Sequence, residues 1–128
     1  MSWLAAGCVF VGGGLGAALR WLVSLALNPL FHIVPLGTLA VNLIGGYLVG
    51  VAAAYFAHHH DLPPEYKLFA ITGILGGFTT FSTYALDLRT LVADDRLVLA
   101  VTYLAGTLLA ALLAAWLGIT AARRVVGG

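Results

Sequence analysis

Four apolar runs of about twenty residues, separated by short polar connectors, constrain this chain more than any other feature. A bilayer interior offers no water to the backbone, so a segment of that length survives there as a helix that satisfies its own N–H and C=O groups. The runs are Trp3 to Leu27, Leu36 to Ala57, Lys67 to Leu91 and Leu97 to Ala121. Asn28-Pro29 and Pro35 close the first, His58-His59-His60-Asp61-Leu62-Pro63-Pro64-Glu65 forms the second connector, and Ala93-Asp94-Asp95-Arg96 the third. The first run is expected to stay as a helix rather than serve as a cleaved signal, because it has no basic leader, runs too long and carries Arg20 inside its far end. Composition agrees: 62% of the residues are hydrophobic and 9% charged, against about a quarter charged in a soluble domain. The expected fold is therefore an all-α integral membrane protein, a single four-helix transmembrane domain over residues 1–128.

Several function classes drop out at once. A net charge of +1 without a cluster of Lys and Arg leaves no footprint for nucleic acid. Cys8 is alone, so no disulfide and no cysteine metal site can form within one chain, and it reads as a small buried hydrophobe. His58, His59 and His60 are consecutive and cannot all face one ion on a regular element, so that connector reads as solvated. Gly12-Gly13-Gly14-Leu15-Gly16-Ala17 lacks the strand and βαβ unit of a dinucleotide loop and reads as helix packing.

With four spans, the N-terminus, second connector and C-terminus share one side, and the first and third connectors the other. Lys67, Arg123 and Arg124 then face Arg20, Arg89 and Arg96, three against three. The positive-inside rule has nothing to act on, and the chain is expected to insert in both orientations and to pair with an inverted copy of itself. A partner protein or weaker charge differences would instead fix one orientation.

Few polar groups lie within the spans, and each is a functional-site candidate by default. Arg20 sits roughly seven residues, about 10 Å, inside the end of the first span. It can snorkel to the interface, or hold a fixed positive charge at a vestibule mouth that concentrates anions. Asn42 lies mid-span with Thr38 one turn earlier on the same face. Its amide can hydrogen-bond an anion or join two helices. Gly12 with Gly16, and Gly46 with Gly50, have the spacing of close helix contacts. Tyr103, Thr107 and Ala111 recur every four residues as a small, hydroxylated stripe, which is either ordinary packing or the lining of a narrow passage. The one acidic residue inside a span is Asp87, near the end of the third.

The third span holds the anomaly. Gly76-Gly77-Phe78-Thr79-Thr80-Phe81-Ser82-Thr83-Tyr84 puts glycines, hydroxyls and aromatics where lipid would demand aliphatics. Each glycine lowers helix propensity by about 1 kcal/mol relative to alanine, so a break is expected there. Unwinding would free the carbonyls of Gly76 and Thr79, and those of two inverted copies would form a four-oxygen cage for a hard monovalent cation such as Na⁺. Phe81 and Tyr84, three residues apart, would stack along one face, and their electropositive ring edges can meet a small anion. Spacing alone does not separate that role from core packing.

Taken together, these segments resemble the small bacterial fluoride channels of the Fluc (CrcB) type. The likeness runs from Gly16 to Arg20-Trp21, through Pro35-Leu36-Gly37-Thr38, Asn42, Gly45 and Gly50, to Thr72-Gly73 and Gly76 through Thr83. The resemblance implies an antiparallel, dual-topology homodimer in the cell inner membrane, a broken third helix, and passive, fluoride-selective conduction with no enzymatic step. It further implies a structural, untransported Na⁺ at the dimer centre on Gly76 and Thr79. The fluoride pathway it implies consists of Asn42, Phe81, Tyr84, Thr80, Ser82, Thr38, Tyr103, Thr107 and the vestibule Arg20. Tyr84 stands where such channels usually carry phenylalanine, so its hydroxyl is expected on the anion's path, and Ala111 stands where some carry another hydroxyl. The competing reading is an exporter of the small multidrug resistance type, which would need a carboxylate in the first span; that span has none.

Overall fold

The computed structural model describes residues 2–31 and 34–126. Helix α1 spans Trp3–Leu27 and opens on Ser2, whose hydroxyl accepts the Ala5 amide at 3.0 Å. One 3₁₀ turn, Asn28–Leu30, ends it where Pro29 removes a donor. Asn28 then does a second task. Its Oδ1 accepts the Gly37 amide at 2.7 Å, capping the first turn of α2, Leu36–His58, which Pro35 cannot cap with a side chain.

The third span begins with α3, Pro64–Lys67, passes into π-helical Leu68–Leu75, and tightens again as α4, Gly76–Phe78. Helix α5, Ser82–Ala93, completes it. At the turn that follows, Asp95 takes a left-handed φ of 58°. The Asp95 amide bonds the Val92 carbonyl at 3.1 Å and the Arg96 amide the Leu91 carbonyl at 2.9 Å, the paired bonds that close a helix C-terminus. Helix α6, Leu97–Val126, has 30 residues and so runs about 45 Å.

Four helical stretches, Trp3–Leu30, Leu36–His58, Pro64–Ala93 and Leu97–Val126, are long and apolar enough to cross a membrane. They match the four expected spans closely, running past the expected ends mainly at the third and the last. They pack as two tight pairs: α1 against Leu68–Leu75 and α4, and α2 against α6. Both seams are made by small residues. A methyl added at Gly16 would land on the Ile74 carbonyl oxygen and 2.8 Å from the Phe78 nitrogen. One added at Gly50 would strike the Ala115 carbonyl, and one at Gly118 the Tyr47 carbonyl. Both expected glycine pairs are thus helix contacts, each with a different partner helix.

The buried interior is small: Val41 and Thr38 are sealed, and Tyr84, Leu91, Ala100 and Tyr103 form the cluster that joins α5 to α6. Trp3, Phe10, Leu109 and Trp116 point outward instead. Such an apolar exterior suits a bilayer, where aliphatic side chains need no partner.

Candidate functional site

Asn42, in the second turn of α2, reaches across to Thr80 with both halves of its amide. Its Oδ1 accepts the Thr80 amide at 2.9 Å and its Nδ2 donates to the Thr80 carbonyl at 3.1 Å. The pair resembles two peptide groups on adjacent strands, and Thr80 holds it because the backbone there has left helical geometry. Thr79 is extended, with φ −83° and ψ 159°. Gly45 makes room for this arrangement, since a methyl there would collide with Thr79 Cγ2.

These side chains redirect the hydrogen bonds of the helix. In a continuous helix the Thr80 amide would close on the Gly76 carbonyl, but it goes to Asn42. The Thr83 amide would close on Thr79, but it takes the Thr80 hydroxyl at 3.2 Å and thereby caps α5. Gly76 and Thr79, the two carbonyls expected to face a cation, therefore lose the donors that a regular helix would give them. Between them, Gly77 receives a substitute: Arg20 Nε donates to its carbonyl at 3.1 Å. Arg20 is half-buried and turned toward the third span, neither snorkelling to the interface nor free in a vestibule.

The interruption also lies later than the glycines suggested. Gly76 and Gly77 are still helical, and the irregular backbone is residues 79–81. Side-chain capture by Asn42, rather than glycine flexibility, fixes its position. Gly77 serves packing instead, because a methyl there would meet the Gly13 carbonyl oxygen and, at 3.1 Å, the Ala17 nitrogen.

A cavity of about 320 Å³ opens beside this stretch, lined by Asn42, Thr79, Thr80, Phe81, Tyr84, Thr107 and Ala111 among others. Six of the expected site residues thus share one wall. Phe81 is 77% exposed, and its ring meets Tyr84 at 61° with centroids 6.1 Å apart, edge toward face rather than stacked. The Tyr84 hydroxyl, beside the Thr107 side chain, is already engaged: it donates to the Leu104 carbonyl at 2.7 Å. Thr107, by contrast, keeps a buried hydroxyl without a hydrogen-bond partner among the described residues. Asn42 has a second amide hydrogen beyond the one given to Thr80. Ser82 is exposed, its hydroxyl 3.4 Å from that of Thr80.

Tyr103 and Thr38 lie outside this cavity and lead away from it. The Tyr103 ring packs on Tyr84 with centroids 5.1 Å apart, and its hydroxyl donates to Asp87 Oδ2 at 3.3 Å. Thr38 lies beside the same carboxylate. Asp87 in turn lines a wider, more polar cavity of about 450 Å³ with Asn28, Thr90, Asp94 and Arg96, at the first and third connectors. Asp87, the lone acid that the sequence places within a span, stands three residues after Tyr84, and that step is the sequence signal that it continues the same helix face. Donor groups, ring edges and carbonyls dominate the site.

A family model described as CrcB-like protein, Camphor Resistance (CrcB), matches residues 7–119. A protein of Burkholderia cenocepacia named fluoride-specific ion channel FluC is 53% identical over 112 residues, covering 84% of this chain and 88% of that one. Proteins of the same name from Burkholderia lata and Burkholderia pseudomallei are 63% and 61% identical over 82 residues, 64% of each chain.

Proposed function

The chain belongs to the CrcB-like family, and from that membership we propose that it is a fluoride-specific ion channel, a multi-pass membrane protein that lets fluoride leave the cytoplasm down its gradient and so lowers its toxicity. The observation that carries the reading is the two-bond pairing of Asn42 with Thr80, which sets a polar, irregular backbone beside a cavity at membrane depth in a chain whose relatives bear that name. Irregular backbone is tolerated there only where protein buries it or a wet pathway runs past it. The remaining Asn42 hydrogen and the Thr107 hydroxyl would donate to the anion, and ring edges would meet it where donors run out. An exporter of the small multidrug resistance type is not favoured by relatives that are named ion channels.

The finer assembly belongs to the same proposal. Two inverted copies would form a homodimer in the inner membrane, a reading supported by the balanced charges and by a cavity that opens at the surface of the protomer. The break in the third helix would then meet its twin. Carbonyl oxygens are the ligands a hard cation prefers, and the Gly76 and Thr79 carbonyls, having lost their helical donors, fit a structural Na⁺. It would supply positive charge that holds the two breaks together and would not itself be transported.

Fluoride efflux from liposomes holding the purified protein, with chloride efflux alongside, tests the reading. Fluoride flux with negligible chloride flux is expected. Folded protein that passes neither ion, or both alike, overturns it.

A further inference from the structure

We propose that Arg20 is the residue that sets the charge of the cation accepted at the third-span break: by occupying the Gly77 carbonyl with a permanent positive charge, it makes the neighbouring carbonyls a site for a monovalent ion and excludes a divalent ion of equal size. The inference rests on the cation reading above and adds a determinant that the carbonyls themselves do not supply.

The placement follows from packing. Gly13, Ala17 and Arg20 recur along one face of α1 at steps of four and three. Gly77 is seated so closely on Gly13 and Ala17 that no methyl fits between them. Arg20, the next residue on that face, therefore comes level with the Gly77 carbonyl and donates Nε to it at 3.1 Å. Among the described residues it is the one charged side chain hydrogen-bonded to this stretch; the other side-chain bonds involve Asn42, Thr79, Thr80 and Ser82, all neutral.

Two consequences follow. The Gly77 oxygen is engaged, whereas the nearby Gly76 and Thr79 carbonyls keep no helical donor. Electrostatics then discriminates. A guanidinium cannot lose its proton in a protein, so its repulsion is permanent, and at any given distance a divalent ion feels twice the repulsion of a monovalent one. Na⁺ and Ca²⁺ are hard, oxygen-seeking ions of nearly the same radius. Carbonyls alone would not reject Ca²⁺ on size, and the greater charge would favour it.

The test is thermal unfolding of the detergent-solubilised full-length protein, started from an N-methylglucamine buffer without metal and titrated with NaCl or CaCl₂. The wild-type protein is expected to gain stability with Na⁺ and to need at least tenfold more Ca²⁺ for the same gain. In Arg20→Gln, which keeps a neutral donor for Gly77, the half-stabilising Ca²⁺ concentration is expected to fall tenfold or more. In Arg20→Lys, which keeps the charge, Ca²⁺ is expected to stay excluded. A wild-type protein indifferent to Na⁺ overturns the cation reading and this inference with it. A wild-type protein stabilised by Na⁺ and Ca²⁺ alike, an Arg20→Gln protein that still ignores Ca²⁺, or an Arg20→Lys protein that accepts it overturns the inference alone. Should Arg20→Gln fail to fold, Arg20→Met, which also removes the charge, is titrated in its place and read in the same way.

Discussion

Asn42 and Tyr84 show how the same site can be misread one side chain at a time. The amide of Asn42 is shared between structure and any ion: its oxygen and one hydrogen hold Thr80, and one hydrogen remains. Asn42→Ala is expected to cost about 1–2 kcal/mol of stability, the net worth of two such bonds within a membrane bundle. It should also abolish fluoride flux, because Thr80 would be free to rejoin the helix; unfolding midpoints and liposome efflux check the two parts. Tyr84 offers a contrast. Its hydroxyl is engaged with the Leu104 carbonyl, which also lies within α6 and can keep its helical donor when the tyrosine is trimmed. Tyr84→Phe is expected to lose about 1 kcal/mol and leave fluoride flux within about twofold. A fall in flux of more than tenfold, measured in the same liposomes, would put the hydroxyl on the ion's path after all.

At the scale of helices, packing depends on where glycine is and is not needed. Gly16→Ala forces a methyl onto the Ile74 carbonyl and should separate α1 from the third span, at about 1–3 kcal/mol for overpacking. Gly14→Ala, two residues away, meets nothing within 4 Å and should raise stability by up to about 1 kcal/mol through helix propensity. Thermal melts of the two variants side by side make the comparison. The four spans were legible because hydropathy alone identifies a segment that must satisfy its own backbone in lipid. The composition of residues 76–84 was legible as an anomaly for the same reason. Its geometry was not. Glycine propensity pointed to Gly76-Gly77, whereas the irregular backbone sits at residues 79–81 because an amide 38 positions away binds Thr80. Likewise the bond from Arg20 to Gly77 spans 57 positions, and no local pattern encodes a pairing between one side chain and a distant carbonyl. The π-helical stretch Leu68–Leu75 reads in sequence like any apolar helix.

For the whole molecule, balanced charge carries the strongest prediction. His58→Lys with Asp61→Lys places extra positive charge on exposed residues of the second connector, and Ala93→Lys with Asp94→Lys does so on the third. Each pair should drive insertion one way, opposite for the two pairs. Each variant alone is expected to give little fluoride flux and the two coexpressed to restore it; full flux from either alone would show that inverted copies are not required. Length adds a different constraint. Helix α6 has 30 residues and α2 has 23, about 45 Å against 35 Å, and the two are joined along their seam so that neither can tilt alone. A bilayer core of about 30 Å cannot cover all of α6. Its surplus, which ends in Arg123 and Arg124, must stand in the phosphate layer, so that lipids with longer or shorter acyl chains would press on a rigid pair of helices and pass that strain directly to the wall that holds Thr80.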